Sequence, residues 1–428
     1  MEVVKSTWLA RGLLLCFLAQ VPPALCHLPE LFGMKYIRFI ESPAGTAPLP
    51  GTSQLAEPVK LDRLQFEQLL ADAEVAGGPY MPDLTDPLIN LAHYHQVQED
   101  VEDALEAYSR ALHLVRVNEG LFSTRQLPIL REMLALYRTV GDRRSLGNAY
   151  QYYYRVSKLG DLPLTPERLE LSLEYLRWER QLYASRVNGD ERAPLLRAYQ
   201  ANQSMLESLV PTTDQELAWY VRLAMSQMRN LYLILGEEPL PMGYASANTG
   251  NGMAVDAMNR QLAYIQLTAY SRGKKLLEKC IERTQSSPSA ELAALHLELG
   301  DWHQWNDQLR HAGKHYVRVV ALLRDAGEEQ LLSRWLDQPV ELPDELDLWP
   351  VNGDRDAASQ AVVVARYDVT SRGAVQRIQV SVQDEKDLSQ AWRIKRMLRD
   401  AHFRPRFSQG LAEAVEQVSR RYMLVGAH

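Results

Sequence analysis

Cysteine is scarce in this chain. Three occur in 428 residues, at positions 16, 26 and 280, so a disulfide-stapled scaffold is excluded and stability has to come from packed cores. Catalytic signatures are missing as well. There is no Gly-rich phosphate loop, no G-x-S-x-G elbow, no H-E-x-x-H and no C-x-x-C. Gly250-Asn251-Gly252 sits among small residues, without the strand-to-helix setting of a nucleotide site. An enzyme is therefore not expected, no cofactor is implied, and a hydrolase or transferase has no motif to rest on. Long apolar runs are missing too. Gly12 to Val21 spans 10 residues, where a bilayer crossing needs roughly 20.

What remains is an ordinary composition with an uneven charge. Hydrophobic residues make up 46% and charged residues 24% of the chain, and the length allows two or three domains, each with its own core. The net charge is −7, yet residues 361–428 hold 12 Lys and Arg against 7 Asp and Glu, a net of +5 that leaves −12 for the rest. No nucleic-acid-reading motif accompanies the basic stretch, so nucleic acid is not an expected partner.

Residues 1–26 have the pattern of a signal peptide: Lys5 and Arg11, the short apolar stretch, then Ala24-Leu25-Cys26 as a cleavage site. Export through a cleaved signal is expected, with no stable membrane span afterwards. Retention as an anchor is the alternative, and Leu25 is large for a lipid-attachment motif at Cys26. Cleavage leaves Cys280 alone, in the helical pattern Lys279-Cys280-Ile281-Glu282, where a small buried hydrophobe is expected.

Residues 27–60 read as an N-terminal arm and a Pro/Gly-rich linker, 61–337 as helical, 338–360 as an acidic linker, and 361–428 as a small α+β domain. In the helical part, Leu88, Leu91, Ala92 and His95 line one helix, and Ala104, Tyr108 and Ala111 the next. These spacings resemble the tetratricopeptide repeat, whose small residues let paired helices approach closely. A second copy, Leu127 to Val156, keeps Leu130, Met133, Tyr137, Gly141-Asp142 and Tyr150, with Leu134, Leu146 and Tyr153 at the small positions. A third begins at Ala290, with Leu292, Ala293, Gly300-Asp301-Trp302, Ala312, Tyr316 and Val319. The expected fold is mainly α: a degenerate tetratricopeptide-type α-solenoid followed by the small α+β domain, with a plain helical bundle as the alternative for the body.

The tail reads strand, turn, strand, basic helix, elbow, strand. Val362, Val364, Tyr367, Val369, Gly373 and Val375, then Phe403, Pro405, Gly410 and Val415 to Leu424, resemble the C-terminal domain of the TonB family in a β-β-α-β order. That resemblance implies β-augmentation, in which an edge strand pairs with a partner's extended segment, and Val415 to Leu424 is the strand to watch. Leu388, Trp392, Ile394 or Lys395, and Leu398 have the spacing of a buried helix face.

Candidate binding residues are Tyr152, Tyr153 and Tyr154, which point in three directions about 100° apart on a helix, and Trp392, Arg393, Arg396, Arg404 and Arg406 in the basic tail. At least one of the tyrosines is expected to be exposed or to line a concave face. His311 and His315 share a helix face, but two ligands are too few for a metal and Lys314 opposes a cation, so surface histidines are expected. His93 and His95 lie on different faces, His95 taking the place of a packed Tyr. Glu99, Asp100, Glu102 and Asp103 complement a helix N-terminus. No metal site is expected. The reading is a periplasmic protein–protein scaffold or adaptor in a Gram-negative cell envelope, with protein partners that include envelope or outer-membrane proteins. A TonB-like energy transducer for outer-membrane transport is the alternative. It would need a retained membrane helix carrying a histidine, and the stretch from Gly12 to Val21 contains none.

Overall fold

The computed structural model describes residues 63–423 apart from 141, 158–163, 186–191, 238–251, 286–288, 345–361, 383–387 and 409. The signal-like segment, the arm, Gly250-Asn251 and most of the expected acidic linker lie outside the described residues. The chain is mainly helical, with a small sheet region near its C-terminal end. Among the described residues the helices of the body are α1 (Arg63–Gly77), α2 (Thr85–Val97), α3 (Val101–Glu119), α4 (Gln126–Val140), α5 (Arg143–Val156), α6 (Pro166–Ser185), α7 (Ala193–Ser208), α8 (Asp214–Leu235), α9 (Gly252–Arg283), α10 (Ser289–Trp305), α11 (Leu309–Asp325) and α12 (Glu329–Leu336). Each packs chiefly on the helices just before and after it in sequence.

Local chemistry explains where these helices start and how closely they pack. At α8 the Thr213 hydroxyl accepts from the Glu216 N–H at 3.2 Å, while the Glu216 carboxylate accepts from the Thr213 N–H at 3.1 Å. Two donors that would otherwise be unsatisfied at the helix start are thereby paired. Ala92, Ala104 and Ala111 are fully enclosed with Tyr108 among them, so α2 and α3 lie close together. Gly300 does the same for α10 and α11. A Cβ there would stand 2.6 Å from the Tyr316 ring.

In the tail, β2 (Val362–Val369) is the central strand of a three-stranded antiparallel sheet, flanked by β3 (Val375–Ser381) and β7 (Val415–Met423). Helix α13 (Leu388–Asp400) packs on β2 and β3. The helix buries Ala391, Ile394 and Leu398, so Ile394 and Leu398 lie on the buried face as expected while Leu388 and Trp392 do not. Leu388 and Trp392 are 51% and 67% exposed. The small Ala391 lets the helix approach the sheet, which an indole at that place would hold off.

A short strand pairing and a packed hairpin tie the tail to the body. β1 (Val340–Glu341) pairs with β4 (Phe403–Arg404), and β5 (Arg406–Ser408) pairs with β6 (Leu411–Glu413). Val340 and Glu341, inside the expected acidic linker, are thus strand, and Leu342 beside them is buried. Phe407 enters the same hydrophobic cluster as Leu292, Val319 and Leu323 of α10 and α11, its ring centroid 5.3 Å from that of Tyr316.

Candidate protein-binding pocket

Helix α9 carries Arg272, Leu276, Lys279 and Arg283 at intervals of four, three and four residues, a spacing that puts them on one helix face. Opposite stand α7 and α8, and between the three helices opens a cavity of about 270 Å³. Leu206, Leu209 and Tyr220, all buried, line it with Leu231 and Tyr199. The Arg272 guanidinium donates to the Tyr199 hydroxyl at 3.1 Å and to Thr268 Oγ1 at 2.7 Å, which fixes it along one wall.

Lys279 and Arg283 are different. Each lies over the face of Tyr220, with Nζ 4.9 Å and the guanidinium carbon 5.6 Å from the ring centroid, and among the described residues neither has a carboxylate within ion-pair distance. Glu207, the carboxylate of the lining, accepts from the Gln203 amide at 2.7 Å. The pocket therefore offers two unpaired cations above an aromatic and aliphatic floor. Such a surface suits an anionic group attached to an apolar stem. Cys280, between these two cations in sequence, faces the core and is fully buried. Burial pushes its thiol up to about 12, against the opposing pull of Lys279 and Arg283, so it is not a reactive thiol at neutral pH.

The residues singled out in the sequence lie elsewhere. Tyr153 is buried and accepts from Arg131 Nε at 2.8 Å. Tyr154 stacks on Tyr175 with centroids 4.2 Å apart, and Tyr152, half-buried, donates to Gln126. None of the three is exposed; each is absorbed by packing against a neighbouring helix. Trp392, Arg393 and Arg396 remain on the outer face of α13, with Lys395 Nζ 5.5 Å from the Trp392 centroid. Arg406 is exposed and faces Glu413 across the β5–β6 pair at 3.6 Å.

Arg404 is no surface residue. It is 1% exposed, donates through Nε and Nη2 to the two oxygens of Asp301 at 2.8 and 2.6 Å, and reaches Asp344 at 2.9 Å and the Trp335 carbonyl at 2.9 Å. Burial alone would lower its pKa, but the carboxylates of Asp301 and Asp344 outweigh that and hold it charged. The expected contact to a partner is thus an internal clamp between tail and body.

The histidines form a group that the sequence did not announce. His296 and His303 of α10 meet His311 and His315 of α11, with ring centroids 5.3 to 5.4 Å apart and the His296 and His315 Nδ1 atoms 3.0 Å apart. His311 is exposed as expected, but His315 is half-buried. Burial first, then the neighbouring histidines, Lys274 and Arg318, depress His296 and His303 to about 4, and His315 is lowered as well. The unfolded values lie near 6.5, so the unfolded chain takes up protons first. The stability these rings contribute is full above about pH 6.5 and is lost as pH falls toward 4.

Glu298 and Glu341, both pushed up to about 7 by burial, titrate with the opposite sign, so the readout is a comparison of wild type with His303→Gln. The variant is expected to melt below wild type at pH 7, with the gap narrowing by on the order of 1–2 kcal/mol at pH 4.5. Thermal melts at both pH values check this; a gap independent of pH would contradict it.

No protein-family model matches this chain, and no curated protein sequence matches it.

Proposed function

We propose that the chain is a protein-binding scaffold whose helical body, a degenerate array of the tetratricopeptide type, takes an acidic segment of a partner protein in the pocket between α7, α8 and α9. The observation that carries this reading is the pair of unpaired cations, Lys279 and Arg283, held over Tyr220 above an apolar floor. A carboxylate arriving there finds charge-assisted donors with no internal acceptor to displace, and the aliphatic floor takes the stem behind it. The tail supplies the second contact. Its order resembles that of a TonB-family C-terminal domain, and β7 lies at one edge of the three-stranded sheet, where an extended partner segment can add a strand. An exported, periplasmic setting rests on the signal pattern in residues 1–26. No helix among the described residues is long and apolar enough to cross a membrane.

The test is fluorescence anisotropy on the full chain with labelled ten-residue peptides that are acidic, neutral or basic. The acidic peptide is expected to bind, more weakly as salt is raised, and Lys279→Glu with Arg283→Glu is expected to weaken it at least about tenfold, the worth of one charge-assisted contact. Melting should fall only modestly, since the two side chains give up cation–π contacts with Tyr220 but no ion pair among the described residues. Equal binding of all three peptides, or unchanged binding by the double variant, would overturn the pocket as the site.

A further inference from the structure

The turn between α2 and α3 brings together residues that the sequence assigned to separate jobs. His95 closes α2 as a buried side chain, 4% exposed, and its Nδ1 has no hydrogen-bond partner. That nitrogen points at two carboxylates, Asp100 Oδ2 at 3.8 Å and Asp103 Oδ2 at 3.7 Å. Both separations are too long for a hydrogen bond. They are close to the span across a shared ion, since two ligands each about 2.1 Å from a zinc stand roughly 3.4–3.6 Å apart at tetrahedral to trigonal angles. Asp100 occupies the N-cap of α3 but makes no side-chain capping bond, so its carboxylate is not committed to the helix end. Among the described residues this is the one set of three His, Cys, Asp or Glu side chains whose donor atoms all lie within 4.8 Å of one another.

We propose that His95, Asp100 and Asp103 bind a divalent transition-metal ion, zinc being the best match, with solvent completing the coordination. A neutral imidazole and two carboxylates make a charge of −2, which the ion balances, and a mixed nitrogen and oxygen set favours zinc over calcium or magnesium, which prefer oxygen alone. A buried ring nitrogen without a partner is rare in folded proteins and needs an acceptor or donor to answer it; the ion supplies one. Arg63 is a competing cation, 4.0 Å from Asp103, and it is engaged by Glu67 at 2.7 Å. Bound there, the ion fastens the end of α2 to the first turn of α3.

The experiment uses the full chain without an affinity tag, stripped with a chelator and titrated with zinc chloride in a calorimeter, with manganese and calcium chloride as comparators. One zinc per chain is expected, with calcium at least about tenfold weaker, and zinc should raise the melting temperature by mass action. Asp103→Asn, a near-isosteric change at a half-exposed position, should lower zinc affinity at least tenfold, and His95→Gln should do the same if it folds. Zinc bound elsewhere, for instance by the α10–α11 histidines, would survive Asp103→Asn. That result, or no binding at millimolar zinc, would overturn the site.

Discussion

Arg404→Ala is expected to cost about 3–5 kcal/mol of folding stability. The guanidinium is 1% exposed and Asp301 4%, so truncation leaves a carboxylate buried with the Tyr316 hydroxyl, at 2.9 Å, as its remaining close donor. The loss should be greater at pH 7 than at pH 5, because an orphaned buried acid prefers its neutral form and so pulls against folding as pH rises. Chemical denaturation at the two pH values measures both effects. A paired replacement, Arg404→Met with Asp301→Leu, should recover most of the stability, since well-packed apolar substitutes for a buried ion pair are commonly neutral or better. If Arg404→Ala melted like wild type, the clamp would be a weak surface contact after all.

Gly373→Ala should damage the same junction from the other side. Gly373 sits in the turn between β2 and β3 with φ +78, a left-handed conformation that costs a residue with a Cβ about 1–2 kcal/mol. Space makes it worse. The added carbon would lie 2.0 Å from the Phe403 carbonyl oxygen and 2.4 Å from the Gln304 amide nitrogen, and the first of these is backbone that cannot swing aside. The Gly373 carbonyl now accepts from the Phe403 N–H at 3.0 Å, and the Gln304 amide donates to the Arg372 carbonyl at 2.6 Å. Both bonds should be lost as the turn lifts. Hydrogen exchange at the Phe403 amide, read beside the melting temperature, is the check. Full protection of that amide in the variant would mean that the turn adapts without leaving the body.

Much of this architecture was legible from local pattern. The helical stretch, the strand–turn–strand opening of the tail and the turn at Gly373 follow from spacing and from residues with a preferred backbone conformation. The contents of the pocket were not legible. Arg272, Lys279 and Arg283 share one face of α9, which the spacing does give, but the tyrosines they lie near come from α7 and α8, some 50 to 85 positions earlier. Arg404 misled for a related reason. A run of arginines is ordinarily solvated, and nothing near it in sequence signals a carboxylate 103 positions away. The α13 face was missed by one residue, because Trp392 counts as apolar in any periodicity while Ala391 is what actually fits against β2 and β3. His95 was placed correctly as a buried residue, but the acids after it already had a sufficient local explanation, which hid their convergence on its ring.

The distance along the chain between Asp301 and Arg404 carries a cost in time. When the polypeptide is delivered N-terminus first, α10 and α11 can pair as soon as both are out, since they are joined by a short turn. Asp301 then waits with the Tyr316 hydroxyl as its close donor, but without its cation, while about a hundred more residues are added. Until Arg404 arrives, that carboxylate and the surface destined for Phe407 stay open to water and to other chains. The newborn helical body is therefore an unfinished product with a sticky acidic notch, and the tail is what seals it.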